Sequence, residues 1–181
     1  ILTCAKALTS GYLPISAVII NNRVFDTIAP RTSEIGIFGH GYTYSGHPVP
    51  AAVAVETLNI YEEINLIEHV KARSKSFLSR LHDFADHPLV GETMGLGLVG
   101  AIELVANKKT REPFNASAAV GPYLVAQAQK RGLILRAMGD RVAFSPPLII
   151  TDAEISEMFD KFSEALYSTF KAVSNCDVTK K

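Results

Sequence analysis

Residues 40–58 read HGYTYSGHPVPAAVAVETL, and the composition changes abruptly at Pro48. Glycines and hydroxyls stand ahead of it; alanine and valine follow. Proline suits the first turn of a helix, where its missing N–H would have had no partner anyway. A long helical region is therefore expected to open at Pro48, with PAAVAVETLNIYEE (50–63) packing closely through small side chains. The loop before it, FGHGYTYSGHP (38–48), places backbone N–H groups and hydroxyls at a helix N-terminus, which suits an anion such as phosphate. It is not a Walker loop, since no Gly-Lys-Ser/Thr follows. His40 and His47 are seven apart and lack a carboxylate partner, so no metal site is expected.

Working outward, residues 30–47 are expected to form a long, functional loop. RVFDTI (23–28) reads as a short helix ending near Ala29-Pro30. PISAVIIN (14–21) is an Ile/Val run that reads as a buried strand. Downstream, Leu66, Ile67, Val70, Phe77, Leu78, Leu81 and Phe84 recur at helical spacing, and Asp86-His87-Pro88 ends that amphipathic helix. LVGETMGLGLVGAIELV (89–105) carries strands whose glycines imply bends or close backbone approach. A helix over 117–131 closes at Gly132. LILR (133–136) and VAFS (142–145) read as strands joined by AMGDR, with Arg141 as turn surface. Thr151-Asp152-Ala153-Glu154 matches a capping box, which opens a last helix running to about Phe170. The tail NCDVTKK is expected to fray.

The bulk composition is that of a soluble globular protein. Of 181 residues, 48% are apolar and 20% charged, and eighteen basic residues balance eighteen acidic ones. That balance gives no electrostatic footprint for nucleic acid or an anionic membrane. No apolar run approaches the roughly 18 to 20 residues of a membrane helix. Cys4 and Cys176 stand at opposite ends without a CxxC, which points to a reducing, cytoplasmic setting, with Cys4 a small buried thiol. Strands and helices mix throughout, so the fold class is α/β. Residues 1–65 read as the end of a larger α/β domain with its connecting helix, 66–175 as a smaller α+β domain, and 176–181 as a tail.

Three segments bear chemistry. Lys6 lies between Ala5 and Ala7, just ahead of a Thr-Ser-Gly-Tyr turn. A lysine that attacks a carbonyl must be an amine, and desolvation supplies that form; the alternative is a lysine snorkelling beside a strand. The loop at Thr43 suits an anion or is simply a glycine-rich turn. Arg136 ends an apolar strand and must reach water or an anion, its planar fork suiting a carboxylate.

Taken together and in order, AKALTSGYLPISAVII (5–20), HGYTYSGHPVPAAVAVETL (40–58), GETMGLGLVGAIEL (91–104) and GLILRAMGDRVAFSPPLIIT (132–151) resemble the class III pyridoxal-phosphate-dependent aminotransferases. The amine:pyruvate, or omega-transaminase, branch is the nearest in look. The resemblance covers nearly the whole chain and implies a fold-type I enzyme with pyridoxal 5′-phosphate as cofactor. It implies that Lys6 forms the internal aldimine and shuttles a proton, and that Thr43 with the backbone N–H of Tyr42 binds the cofactor phosphate across a homodimer interface. It implies that Arg136 pairs with a keto-acid carboxylate and swings away for an amine. Small-molecule amines and keto acids are the implied partners, and dimers pairing into tetramers are possible in such a family.

The family's acidic partner of the pyridine nitrogen and its ring-stacking aromatic lie upstream of the lysine, whereas here the chain opens with Ile1. The chain is thus expected to be the C-terminal part of an enzyme and inactive alone. Rival readings are a diaminopelargonate or glutamate-semialdehyde type of class III enzyme, a decarboxylase on the same fold, and a cofactor-free dimerisation module built on the alanine-rich helix.

Overall fold

The computed structural model describes residues 1–36 and 38–175, and the chain divides into two compact units, one from Ile1 to Asn65 and one beginning at Leu66. Cys176 and the tail expected over 176–181 lie outside the described residues.

In the first unit, β1 (Leu2–Ala5) pairs antiparallel with β2 (Ser16–Ile19), Leu2 facing Ile19 and Ala5 facing Ser16. A 3-10 turn at Ala7–Thr9 connects them. Thr9 is fully buried there; its hydroxyl donates to the Leu13 carbonyl at 2.6 Å and accepts from the Leu13 N–H at 3.3 Å, so one side chain stitches the connection. Asn21 caps α1 (Asn22–Ile28) by accepting the Val24 N–H at 3.2 Å. A 3-10 turn at Ala29–Arg31 and one helical turn, α2 (Thr32–Ile35), follow, and Gly36 at φ 83° ends them. The segment expected to be all loop thus starts helical. α3 runs Pro48–Glu63, opening where the proline requires.

Two expectations for this unit need correcting. β1 was not foreseen: Leu-Thr-Cys-Ala is too short to show a period. The run 14–21 is a strand only over Ser16–Ile19, and it is not buried, since Val18 is 62% and Ile19 54% exposed. A two-stranded sheet buries a face only when another layer covers it, and here only Cys4 and Ala17, paired across the sheet, are partly covered. Cys4 is accordingly half-buried, not a core thiol.

The second unit is a four-stranded antiparallel sheet with three helices. α4 (Leu66–His82) leads through a 3-10 turn to the hairpin β3 (Val90–Leu96) and β4 (Val99–Leu104). α5 (Val120–Gln129) precedes the hairpin β5 (Arg136–Met138) and β6 (Arg141–Phe144), and α6 (Asp152–Ser174) closes the chain. The strand order is β3-β4-β6-β5, leaving β5 at an edge. Alternation puts Val90, Ile102, Leu104, Val142 and Phe144 in the core with Phe77, Leu81, Phe159 and Phe162 from the helices. The phenylalanines interlock edge-on and tilted, with Phe144 4.9 Å from Phe162 and 5.4 Å from Phe159.

The glycines of 91–104 have a packing reason. A Cβ at Gly100 would lie 2.6 Å from Leu81 Cδ2 and 3.2 Å from Phe77, so α4 rests directly on strand backbone. Both hairpins turn in two residues, Gly97-Leu98 and Gly139-Asp140. The latter is tighter than the AMGDR connection expected, and β5 begins only at Arg136, leaving 133–135 out of the ladder. The 117–131 helix is likewise shorter, following a 3-10 turn at Ala116–Ala118, whereas the last helix extends past Phe170 to Ser174. The capping box forms as expected: Glu154 N–H donates to Thr151 Oγ1 at 3.3 Å, and Thr151 N–H donates to Glu154 Oε2 at 2.8 Å. The backbone and hydroxyl bonds from Thr151 hold the Glu154 carboxyl below its ordinary range.

The core makes a quantitative demand. Phe159→Ala should lower the unfolding free energy by about 3–5 kcal/mol in urea titration. His87 supplies a pH dependence. Its Nδ1 accepts the Leu89 N–H at 3.2 Å and its ring meets Phe170 edge-on at 5.5 Å. Burial, and secondarily the Lys108 ammonium, lower its pKa below 6.5. The unfolded chain binds the proton first, so this contribution is complete above pH 6.5 and is lost as pH falls below it. Urea midpoints of His87→Asn should therefore fall less steeply than wild type as pH is lowered from 6.5; parallel curves would contradict this.

Candidate active site

Lys6 occupies the junction between β1 and the following 3-10 turn, with φ 58° and ψ −82°. A non-glycine residue in this region costs on the order of 1–3 kcal/mol and persists only where the surroundings hold it. They do so here. The Lys6 carbonyl accepts the N–H groups of Thr9 at 3.2 Å and Gly11 at 3.3 Å. The next carbonyl, of Ala7, accepts from Ser10 N–H at 3.2 Å and from the Tyr61 hydroxyl of α3 at 2.9 Å. The strained turn is thus fastened to a long helix. Lys6 and its flanking alanines are exposed in this chain, which corrects the expectation of an apolar, covered setting. The physical reason is the bare two-stranded sheet described above. Among the described residues Lys6 forms no ion pair.

The loop ahead of α3 is organised by short-range bonds. Tyr42 N–H donates to Ser45 Oγ at 2.8 Å, and Ser45 N–H and His47 N–H donate back to the carbonyls of Tyr42 at 2.9 Å and Tyr44 at 3.1 Å. His47 is the N-cap of α3, its Nδ1 accepting Val49 N–H at 3.1 Å, with its ring stacked on Tyr44. Phe38, His40 and Tyr42 form a train of rings, each 5.9 Å from the next. Neither histidine belongs to a metal-binding cluster among the described residues. The Tyr42 amide is therefore occupied by Ser45, whereas the amide and hydroxyl of Thr43 make no hydrogen bond among the described residues. Thr43 is exposed and free to bind an anion.

Both segments attach to α3, at opposite ends: the Thr43 loop runs into Pro48, while Tyr61 holds the Lys6 turn. Those two positions are about 20 Å apart at the rise of an α-helix.

Arg136 lies in the second unit, as the first residue of edge strand β5, opposite Ala143. It is exposed and without an ion pair among the described residues. Cross-strand pairing sets it in the row Met94–Ala101–Ala143–Arg136, on the sheet face away from the core. The neighbouring row is Glu92–Glu103–Arg141–Met138, and its two acids are taken, Glu103 by Arg141 at 2.9 Å and Glu92 by Arg111 at 3.7 Å. Arg141 is thus a strand residue with a partner, not plain turn surface. Sequence reasoning missed Tyr61, since one aromatic in a helix carries no sign of a distant carbonyl. The capping role of His47 was missed too, although its place directly before Pro48 is the N-cap position.

The chain is similar to known proteins in both sequence and fold. The family model described as aminotransferase class-III matches residues 1–166. A probable gamma-aminobutyrate transaminase 3, mitochondrial, of Oryza sativa subsp. indica is 42% identical over 174 residues, 96% of this chain and 34% of that protein. Vanillin aminotransferase of Capsicum chinense is 41% identical over 181 residues, 100% of this chain and 39% of that protein. Among solved structures, an omega transaminase from Pseudomonas jessenii in complex with PMP superposes with a TM-score of 0.90 at 45% identity, covering 95% of this chain and 38% of that one. A transaminase with L-ala gives a TM-score of 0.91 at 43% identity, covering 94% and 40%. The chain therefore spans between a third and two-fifths of the length of these relatives. With its family match across most of its residues and a transaminase fold at this identity, the chain belongs to the class-III aminotransferases.

Proposed function

We propose that this chain carries part of the active site of a pyridoxal-phosphate-dependent transaminase that moves an amino group from a primary amine or omega-amino acid to an α-keto acid such as pyruvate. The observation that carries the reading is the Lys6 turn: a strained, fastened backbone presenting an unpaired amine, in a chain of this family. Pyridoxal 5′-phosphate is the cofactor of class-III aminotransferases, and the residues present fit it in kind. Lys6 has the amine for its aldehyde, and Thr43 has an unbonded hydroxyl and amide for its phosphate. When bound, its ring supplies the electron sink that loosens bonds at the substrate's α-carbon.

The chain's own residues do the rest. Lys6 Nζ would hold the cofactor through its aldehyde and, as a free amine, would take a proton from the substrate carbon bearing the amino group and give it back after the exchange. Thr43 would hold the phosphate, together with the Tyr42 N–H that here donates to Ser45 Oγ. On this reading, as the family resemblance implies, the enzyme is a homodimer in which each site takes Thr43 from the partner. Arg136 accepts the keto-acid carboxylate as a bidentate pair, and its exposed edge position lets it remain in water when an amine without a carboxylate binds.

On this reading residues 1–65 belong to the large cofactor-binding domain and 66–175 to the small domain. A second donor, γ-aminobutyrate, is favoured by the gamma-aminobutyrate transaminases at 42–43% identity, such as the rice protein and its tomato counterparts, where a carboxylate on each substrate would engage Arg136 in turn. A reducing compartment, the cytoplasm, completes the reading on cysteine usage. Among the described residues no helix is long and apolar enough to cross a membrane.

Two outcomes test this in the intact protein. Lys6→Ala should abolish both turnover and the visible absorbance acquired with pyridoxal phosphate, with circular dichroism unchanged; retained turnover would refute the assignment. Arg136→Ala removes a charge-assisted pair of about 1.5–3 kcal/mol, so the KM for pyruvate should rise roughly 10- to 100-fold. The KM for an amine donor lacking a carboxylate should hardly move, and equal rises would remove Arg136 from this role.

A further inference from the structure

β5 has only three residues and one neighbouring strand, so the ladder alone holds Arg136 weakly. Both ends of β5 are instead tied to one helix. At its C-terminal end α5 closes through Gly132 at φ 75°, with Leu133 N–H donating to the Ala128 carbonyl at 3.0 Å, which fixes the chain's entry to β5. At the other end the Gly139-Asp140 turn returns to the start of α5. Asp140 Oδ1 accepts the Gly121 N–H at 2.8 Å, and the Asp140 carbonyl accepts Leu104 N–H from the end of β4 at 2.9 Å.

The start of α5 needs that carboxylate. Its N-cap is Ala119, held at φ 48° and without a side chain able to cap. Asp140 supplies from the hairpin the acceptor that an N-cap Ser or Asp would supply locally, and its charge lies at the favourable pole of the helix. The contact is backbone to backbone: a Cβ on Gly121 would stand 2.1 Å from the Gly139 carbonyl oxygen. Sequence reading assigned nothing to Asp140 or Gly121.

We propose that Asp140 is a positioning residue for substrate choice: by capping α5 from the β5–β6 turn, it sets where Arg136 presents its guanidinium to the keto-acid carboxylate. The proposal rests on the reading of Arg136 given above. It predicts that loss of the cap affects the carboxylate-bearing acceptor selectively, because Lys6 and the cofactor loop are in the other unit.

The test is steady-state kinetics of the intact enzyme with pyruvate and with an amine donor lacking a carboxylate. Asp140→Ala should raise the KM for pyruvate about tenfold and the donor KM less than about twofold. Asp140→Asn, which keeps the Oδ1 acceptor, should restore the wild-type value. In an Arg136→Ala background Asp140→Ala should add nothing to the pyruvate KM. Hydrogen exchange of the amides over 136–138 should accelerate in Asp140→Ala and not in Asp140→Asn. If Asp140→Ala does not fold, Asp140→Glu, whose extra methylene misplaces the carboxylate, serves for the same comparison. A pyruvate effect in Arg136→Ala but none at Asp140 overturns the positioning role and leaves the reading of Arg136 intact. Equal rises for both substrates at Asp140 overturn it as well, as a purely structural cap. No selective effect in Arg136→Ala overturns the underlying reading itself.

Discussion

The hydrogen bond from the Tyr61 hydroxyl to the Ala7 carbonyl fastens a strained turn to a straight helix, and the geometry of the first unit follows from it. A lysine at φ 58° does not stay there on its own account. Two N–H groups on its carbonyl and a helix-borne hydroxyl on the next one remove the alternatives. The same helix begins at the glycine- and hydroxyl-rich loop, so both segments are anchored to α3.

The second unit carries an exposed arginine at the edge of a small sheet. Its inner face is filled by interlocked phenylalanines and by α4 lying on bare glycine backbone at Gly95 and Gly100. On the outer face, Arg141 and Arg111 occupy the two glutamates of the neighbouring cross-strand row, and Arg136 has no ion pair among the described residues. A cation kept from internal partners remains available to a carboxylate that comes and goes.

What the sequence made legible was what local chemistry decides. Pro48 at a first turn, Gly132 past a last turn and the Thr151–Glu154 box each mark a helix end with short-range bonds, and all three stand where expected. The order of four motifs likewise carried the family. Misreadings came where burial or long-range pairing decides. The Ile/Val run at 14–21 looks like a core strand, yet its exposure depends on what covers it. Leu133 to Leu135 are apolar enough for a strand, yet pairing with β6 begins only at Arg136. Tyr61 and Asp140 gave no sign at all, since each works through a backbone group far away in sequence.

The central claim is that Lys6 is the amine that holds the cofactor, and one measurement addresses it directly. The intact protein is treated with pyridoxal phosphate, reduced with borohydride, digested, and its peptides weighed. The account predicts a single phosphopyridoxyl adduct on the peptide containing Lys6. A stoichiometric adduct on another lysine, or none on that peptide, would contradict it.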